Sequence, residues 1–423
     1  MRQEFLTIKE IAELEQKSLK TIRRAIASNE LLAEKKGGNF YSVNKEEYYR
    51  WKTADHKINK IPDRIKYFNK NIEYQDTKFI NILPEMKIID GWNNKNNKNG
   101  LKFLDLFSGA GGLSCGMVMA GFTPVYSVEI LQCAVNTYKK NFINSGRFPN
   151  ENIETRDIKD AKIKQNVIKK CKEEQVDVIV GGFPCQGFSM AGNRVVADPR
   201  NSLYLDMLEI VKQINPKFVV MENVEGLRSM LNGKIEKMII SDYQDIGYNI
   251  SVHTLNAADY GVAQQRKRVI FIANNIGLVN YHPEPIFNEN NYKTLGQELE
   301  RFLYIDENKD INHIFTNHTE EMKKRLSKVP EGKSLYKNYS DAWKKSPWNK
   351  TSCTIKENHG GVNIHPKLPR VLTPRELAAL QSFPDDFIFE GTKKWQLLQI
   401  GNAVPPLLSK AIALAVYKTL KNK

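Results

Sequence analysis

With 423 residues, 41% of them hydrophobic, the chain can bury at least one full-sized core and has room for two or three units. Its net charge of +15 suits a polyanionic partner without separating DNA from RNA, and an AT-rich genome also produces a basic, Asn/Lys-rich composition. No apolar run approaches the ~20 residues of a membrane span, the N-terminus lacks a secretory signal, and five scattered cysteines form no Cys-x-x-Cys pair. A disulfide framework, a structural zinc site and a membrane partner are therefore disfavoured, and a reduced, cytoplasmic protein without metal is expected.

The first pattern in the chain is a small module within residues 1–55. Thr7-Ile8-Lys9-Glu10 is a capping box, predicting a short helix with Ile11 and Leu14 turned inward. Ser18 can cap a second helix with Leu19, Ile22 and Ile26 on one face, leaving Lys20, Arg23 and Arg24 on the other. Leu31 to Val43, broken by Gly37-Gly38, reads as a hairpin or wing, and Asn44 can cap a third helix containing Tyr48, Tyr49 and Trp51. The order resembles winged helix-turn-helix modules of the excisionase and MerR type, which implies Lys20, Arg23 and Arg24 near a major groove. The alternative is a small helical cap that contacts no nucleic acid. Residues 56–100, ending in the polar run Asn93 to Asn99, read as a linker.

Leu101 to Phe107 predicts a strand, and Gly109, Gly111 and Gly112 make a turn narrow enough for a ligand to approach the backbone. A second strand, Val125 to Val128, ends in Glu129, an acid 20 residues after Gly109. Strand, glycine turn, helix, strand and acid is the layout of nucleoside binding, with the carboxylate on ribose hydroxyls. An ordinary βαβ unit with an acidic strand end is the bland reading. No Gly-x-x-x-x-Gly-Lys-Ser/Thr sequence suggests nucleotide hydrolysis.

Val176 to Val180 predicts a buried strand, followed by Gly181-Gly182-Phe183-Pro184-Cys185-Gln186-Gly187-Phe188-Ser189. The glycines end the strand and the proline stiffens the turn, setting Cys185 at a carboxyl edge, where open α/β sheets bind ligands. As a thiolate it can add to an electron-poor ring carbon. Phe218 to Met221 is a further strand ending in Glu222-Asn223-Val224, and Gln264-Gln265-Arg266-Lys267-Arg268 leads into Val269 to Ile272. Alone, each reads as a structural cysteine, a salt-bridge carboxylate or a solvated strand end. Together they supply a nucleophile, a proton donor and cationic anchors for attack on a pyrimidine.

Taken in order, these segments resemble the DNA (cytosine-5)-methyltransferase family of bacterial restriction-modification systems. The likeness runs from Phe103-Leu104-Asp105-Leu106-Phe107-Ser108-Gly109 through Arg370-Val371-Leu372-Thr373-Pro374-Arg375-Glu376 to Gln399-Ile400-Gly401-Asn402-Ala403-Val404-Pro405-Pro406. It implies an α/β fold: a Rossmann-like class I S-adenosylmethionine-dependent domain at 101–276, completed by a return segment at 351–423. Residues 277–350, aromatic and basic with nine Lys/Arg against four Asp/Glu in 320–350, take the position of the small irregular target-recognition domain.

The resemblance implies S-adenosylmethionine as cofactor. Phe107 and the turn Gly109, Gly111, Gly112 would lie against its methionine part, Glu129 would take the ribose and Ile130 would pack on the adenine. Asp157 and Ile158 would read the adenine edge, Pro184 and Leu203 would line the pocket, and Asn402 would close it. In the implied reaction on a flipped cytosine in a specific double-stranded sequence, Cys185 adds to C6 and Glu222 serves N3. Arg268 would hold O2, Arg266 a phosphate or a closing loop, and residues 186–200 would form a lid. A monomer is expected, with a restriction endonuclease as functional partner only. An RNA-directed relative remains the rival within the family, although its nucleophile segment is usually of Pro-Pro-Cys-Gln-Pro-Phe-Thr type. A transcriptional regulator acting through the N-terminal module is the rival outside it, and autoregulatory promoter binding beside the enzymatic role is credible.

Overall fold

The computed structural model describes residues 5–15, 18–27, 31, 33–35, 41–49, 68, 70, 72–94, 98–184, 203–336, 343–356 and 363–421. The chain divides into two units, with residues 1–69 in the first and nearly all the remainder in the second.

The first unit has its own core of Ile8, Ile11, Ile22, Leu31, Val43 and Tyr48. Thr7 and Glu10 form the capping box, the Glu10 N–H donating to Thr7 Oγ1 (3.2 Å) and the Thr7 N–H to Glu10 Oε2 (2.7 Å), and helix Ile8–Leu14 follows. The Thr21 N–H donates to Ser18 Oγ (3.2 Å) at the start of helix Leu19–Ala27. Strands Phe5–Thr7, Tyr41–Asn44 and Glu34–Lys35 form an antiparallel sheet in that spatial order. Leu14, expected inside, is 58% exposed. Ile8, Ile11 and Ala12 define the buried face, and at 3.6 residues per turn Leu14 falls about 120° from its centre. Leu19 is exposed as well. The Gly37-Gly38 wing tip and Trp51 lie outside the described residues.

The second unit is built on a seven-stranded sheet: β1 Lys102–Leu106, β2 Thr123–Val128, β3 Asn152–Glu154, β4 Val178–Gly181, β5 Phe218–Val224, β6 Asn249–Asn256 and β7 Lys267–Asn274. Their spatial order is β6-β7-β5-β4-β1-β2-β3, with β7 antiparallel to both neighbours and the other pairs parallel. Val, Ile, Leu and Phe dominate the central strands because helices cover both faces of such a sheet. The helices that matter here are α1 Gly112–Met119, α2 Gln132–Tyr138, α3 Ala161–Glu173, α4 Leu203–Ile214, α5 Lys234–Asp245, α6 Pro374–Leu380, α7 Lys393–Asn402 and α8 Pro406–Lys421.

Register sets the working edge. Leu106 pairs with Val128 and Gly181, and Gly181 pairs with Met221, so β2, β1, β4 and β5 reach their carboxyl ends side by side. Because β7 runs the other way, its first residues arrive there too, with Arg268 opposite Val224. The return segment then completes the core, α8 lying on α1 so closely that a Cβ on Gly116 would collide with Ser409 and the Pro406 carbonyl. Contrary to the sequence expectation, one described stretch, residues 393–421, is long and apolar enough by length and composition to cross a membrane; it is divided between α7 and α8, and 78% of its apolar window is buried in this packing.

The linker expectation for 56–100 needs correction from residue 78 onward. Strand Lys78–Ile80 pairs in parallel with Tyr281–Pro283, helix Leu83–Ile88 follows, and Ile82 and Trp92 are buried in the main core. Trp92 Nε1 donates to Asp386 (3.0 Å), and the Arg147 guanidinium lies 4.1 Å from the Trp92 ring centre. The apolar residues of this stretch outweigh the Asn-rich run behind them. Within 277–350, Leu295, Leu299 and Phe302 join the same core, whereas Leu326 and Val329 form a separate small cluster with Ile364.

Candidate active site and cofactor pocket

Glu222 is the fifth residue of β5 and Arg268 the second of β7, on adjacent antiparallel strands. Arg268 Nε donates to Glu222 Oε1 at 2.8 Å, with both side chains mostly buried at 12% and 13% exposure. Beside them, β4 ends at Gly181, and a Cβ on Gly182 would stand 3.0 Å from Glu222 Oε2. Glycine there lets the following turn pass against the carboxylate. Asn223, buried, donates from Nδ2 to the Phe183 carbonyl (2.9 Å) and accepts the Val224 N–H on Oδ1 (2.9 Å). It therefore pins the turn that leads through Pro184 to the strand bearing Glu222. Cys185 and residues 186–200 lie outside the described residues. The sequence gives Asn223 no role of its own; an amide directly after the acid is the only local signal for it.

The phosphate role expected for Arg266 does not fit its surroundings, and the closing loop of its alternative role, residues 186–200, lies outside the described residues. Its guanidinium is buried, 2% exposed, and donates to two carbonyls, Nη1 to Ile355 (2.8 Å) and Nη2 to Gly401 (2.9 Å). Burial, and then the Arg268 charge, lower its pKa to about 9, which still leaves it cationic at neutral pH. With both terminal nitrogens committed inside the protein, it holds segments together.

On the cofactor side, Glu129 follows β2 directly. Its carboxylate accepts the N–H of Gly109 on Oε2 and of Leu131 on Oε1, each at 2.8 Å. Burial raises its pKa, with these N–H bonds opposing the shift. Gly109 has a φ of +55°, and among the described residues no atom beyond its chain neighbours lies within 4 Å of where its Cβ would be. Phe107 also takes a left-handed φ of 63°, a strained state for an aromatic residue. Ile130, apolar and 61% exposed, offers a surface for a planar ring. Asp157 is exposed beyond β3 and caps the Lys159 N–H (3.0 Å), while Ile158 is buried. Pro184 and Leu203, the first residue of α4, are half-buried, and Asn402 is exposed at the end of α7.

Two of the three turn glycines serve packing instead of ligand approach. A Cβ on Gly111 would meet the Phe142 ring at 2.7 Å, and one on Gly112 would run into the Val404 carbonyl. An open glycine, an anchored acid and an exposed apolar side chain together fit a nucleoside with a charged tail, so the residues present suit S-adenosylmethionine.

Beneath this pocket runs a buried polar chain. Ser114 Oγ donates to Asp105 Oδ2 (2.6 Å), Tyr138 Oη donates to Glu151 Oε1 (2.6 Å), and Ser127 Oγ lies 2.8 Å from Tyr138 Oη. Burial pushes Asp105 up to about 7 and Glu151 up to about 8. Above pH about 4 the unfolded chain releases these protons while the folded protein keeps them. The folded state thus binds more protons up to about pH 8, and stability falls as pH rises through that window. Glu151→Gln keeps the acceptor for Tyr138 and is expected to shrink the drop in Tm between about pH 5 and about pH 8, measured by calorimetry.

The family model for C-5 cytosine-specific DNA methylases matches residues 101–418. The type II methyltransferase M1.HphI of Haemophilus parahaemolyticus is 40% identical, over 76% of this chain and 88% of its own length. The type II methyltransferase M.DdeI of Desulfomicrobium norvegicum is 35% identical, over 74% and 88% respectively. A solved E. coli prophage protein, described as a DNA modification methyltransferase, superposes with a TM-score of 0.62 at 28% identity, covering 76% of this chain and 99% of that one. This chain belongs to the C-5 cytosine-specific DNA methylase family and is a DNA (cytosine-5)-methyltransferase.

Proposed function

We propose that the carboxyl edge of the sheet methylates a cytosine flipped out of a specific DNA duplex, with Cys185, Glu222 and Arg268 acting on the ring. The observation that carries this reading is the Glu222–Arg268 pair set beside the turn into Pro184. A stacked cytosine hides C6, so unpairing and unstacking, at a cost of a few kcal/mol, come first. The Cys185 thiolate then adds to C6, forming the S–C6 bond and pushing electron density toward C5 and N3. Glu222 donates a proton to N3, and Arg268 hydrogen-bonds O2, where negative charge develops. S-adenosylmethionine, when bound, supplies the electrophilic methyl group. Loss of the C5 proton to a base, expulsion of the Cys185 thiolate and return of the N3 proton to Glu222 restore the ring and the enzyme.

Glu129 would take the ribose, Ile130 the adenine face, Asp157 and Ile158 the adenine edge, and Gly109 and Phe107 the methionine part. Pro184, Leu203 and Asn402 would complete the wall. Residues 277–350, and most directly the part with its own small core, would read the bases. Relatives named as type II methyltransferases support a role in restriction-modification; a cognate restriction endonuclease would be a functional partner only, and the enzyme would act as a monomer. The N-terminal module would bind DNA through helix Leu19–Ala27, where Lys20 and Arg23 are exposed and Ile22 is buried. A full-length Lys20→Ala/Arg23→Ala variant should lose binding to the DNA upstream of its own gene and keep methylation; unchanged binding there would sink the regulatory role.

The test is transfer of tritiated methyl groups from S-adenosylmethionine to unmethylated duplex DNA, beside unmodified tRNA. Label on cytosine C5 of DNA supports the proposal, and bisulfite mapping of the product then gives the sequence read. Label on tRNA alone would overturn it.

A further inference from the structure

The segment Gln264–Arg268 does more than deliver Arg268 to the catalytic edge. Gln264 is fully buried, accepts the Ile355 N–H on Oε1 (2.8 Å) and donates from Nε2 to Gln381 Oε1 (3.1 Å). Gln381, also fully buried and just beyond α6, donates from Nε2 to the Ile400 carbonyl (2.7 Å). Arg266 reaches the next carbonyl, Gly401, and with its other nitrogen that of Ile355. Backbone bonds zip the same segments: the Gln265 N–H donates to the Ser352 carbonyl (3.0 Å), and the Ser352 N–H to that of Ala263 (2.9 Å).

Two ends therefore meet in one buried cluster. One is residues 352–355, where the chain leaves the recognition region. The other is the last turn of α7, which ends at Asn402 and where helical N–H donors run out, the Ile400 carbonyl receiving only a 3.3 Å bond from the Ala403 N–H, which it shares with Gln399. A cation and an amide at a helix carboxyl end satisfy those carbonyls and match the helix dipole. Capping the helix does not require that Arg266 also hold the Ile355 carbonyl, nor that Gln381 be tied through Gln264 to the Ile355 N–H.

We propose that Gln264, Arg266 and Gln381 are positioning residues that seat Asn402 at the cofactor pocket and link that seat to the recognition region, so that DNA and cofactor bind cooperatively. The proposal rests on reading Asn402 as part of the S-adenosylmethionine pocket. A shift of 352–355 when the recognition region engages a duplex would pass through Gln264 to Gln381 and so to Ile400 and Gly401. By linkage, the cofactor must then change affinity for DNA by the same factor that DNA changes affinity for the cofactor.

The test measures S-adenosylhomocysteine binding by calorimetry, with and without a duplex carrying the sequence that the wild type methylates. Full-length wild type, Gln381→Leu and Gln381→Glu are compared; should the leucine variant not fold, the glutamate variant is nearly isosteric, keeps the acceptor for Gln264 and replaces the donor to Ile400 with a carboxylate oxygen. Wild type is expected to bind at least about fivefold tighter with DNA, the lower end of ordinary coupling. Both variants should lose that gain and bind about tenfold more weakly, as for one lost buried hydrogen bond, while kcat at saturating cofactor changes little. Equal binding by wild type and variants, or no effect of DNA on wild type, would overturn the proposal. Failure of wild type to bind at all would instead overturn the cofactor reading beneath it.

Discussion

Cys185→Ser should reduce methyl transfer to background while leaving S-adenosylhomocysteine and DNA binding near wild type. The argument is one of acidity. A free thiol with a pKa near 8.5 is a few per cent thiolate at neutral pH, and thiolate sulfur is intrinsically a strong nucleophile. A serine hydroxyl stays protonated under the same conditions, and the site as described offers it no base: Glu222 is engaged by Arg268 and the Asn223 amide by the Phe183 carbonyl. A duplex with 5-fluorocytosine at the target gives a second readout. Addition to C6 can proceed there, but C5 has no proton to lose after methylation, so the S–C6 bond persists. Wild type should form a complex with it that survives denaturation, and Cys185→Ser should not. Retained transfer by the serine variant would remove Cys185 from the chemistry.

The sheet edge was legible because its strands are short apolar runs broken by glycine, and such runs in a parallel sheet announce themselves locally. Glu129 at the end of β2 and Glu222 near the end of β5 stand where those runs placed them, and Arg268 pairs with Glu222 across an antiparallel neighbour. Tertiary choices were not legible. Arg266 and Arg268 look equivalent in sequence, yet β7 begins at Lys267, so Arg266 lies before the two-residue repeat and is buried on two carbonyls. Nothing local in the sequence marks Gln264 or Gln381 as buried, because their partners lie 91 and 19 residues away. The same holds for Lys78–Ile80, whose partner strand is about 200 residues distant and whose three residues carry no independent strand signal. The glycines at 111 and 112 suggest ligand space in sequence because a missing side chain looks the same there whether a ligand or a protein atom fills it.

Glu222→Gln separates hydrogen bonding from proton transfer at N3. The amide preserves the shape of the carboxyl group and can donate a hydrogen bond to N3, but it cannot hand over a proton as the thiolate adds. General acid catalysis of this kind contributes about 10²–10⁴-fold, so kcat should fall by that order with the KM for S-adenosylmethionine little changed. Glu222→Ala should fall further, because Arg268 then loses its 2.8 Å partner and its guanidinium, already mostly buried, keeps among the described residues only the Lys267 carbonyl on Nη1. Arg268→Ala alone should lower kcat as well, through the lost donor to O2. If the two residues act as one unit on the developing charge, the double variant should be no slower than the slower single variant, since the first loss already removes what the second would. Strictly multiplicative losses in that cycle would mean that the Glu222–Arg268 pair is a contact of the resting protein with no shared part in the chemistry.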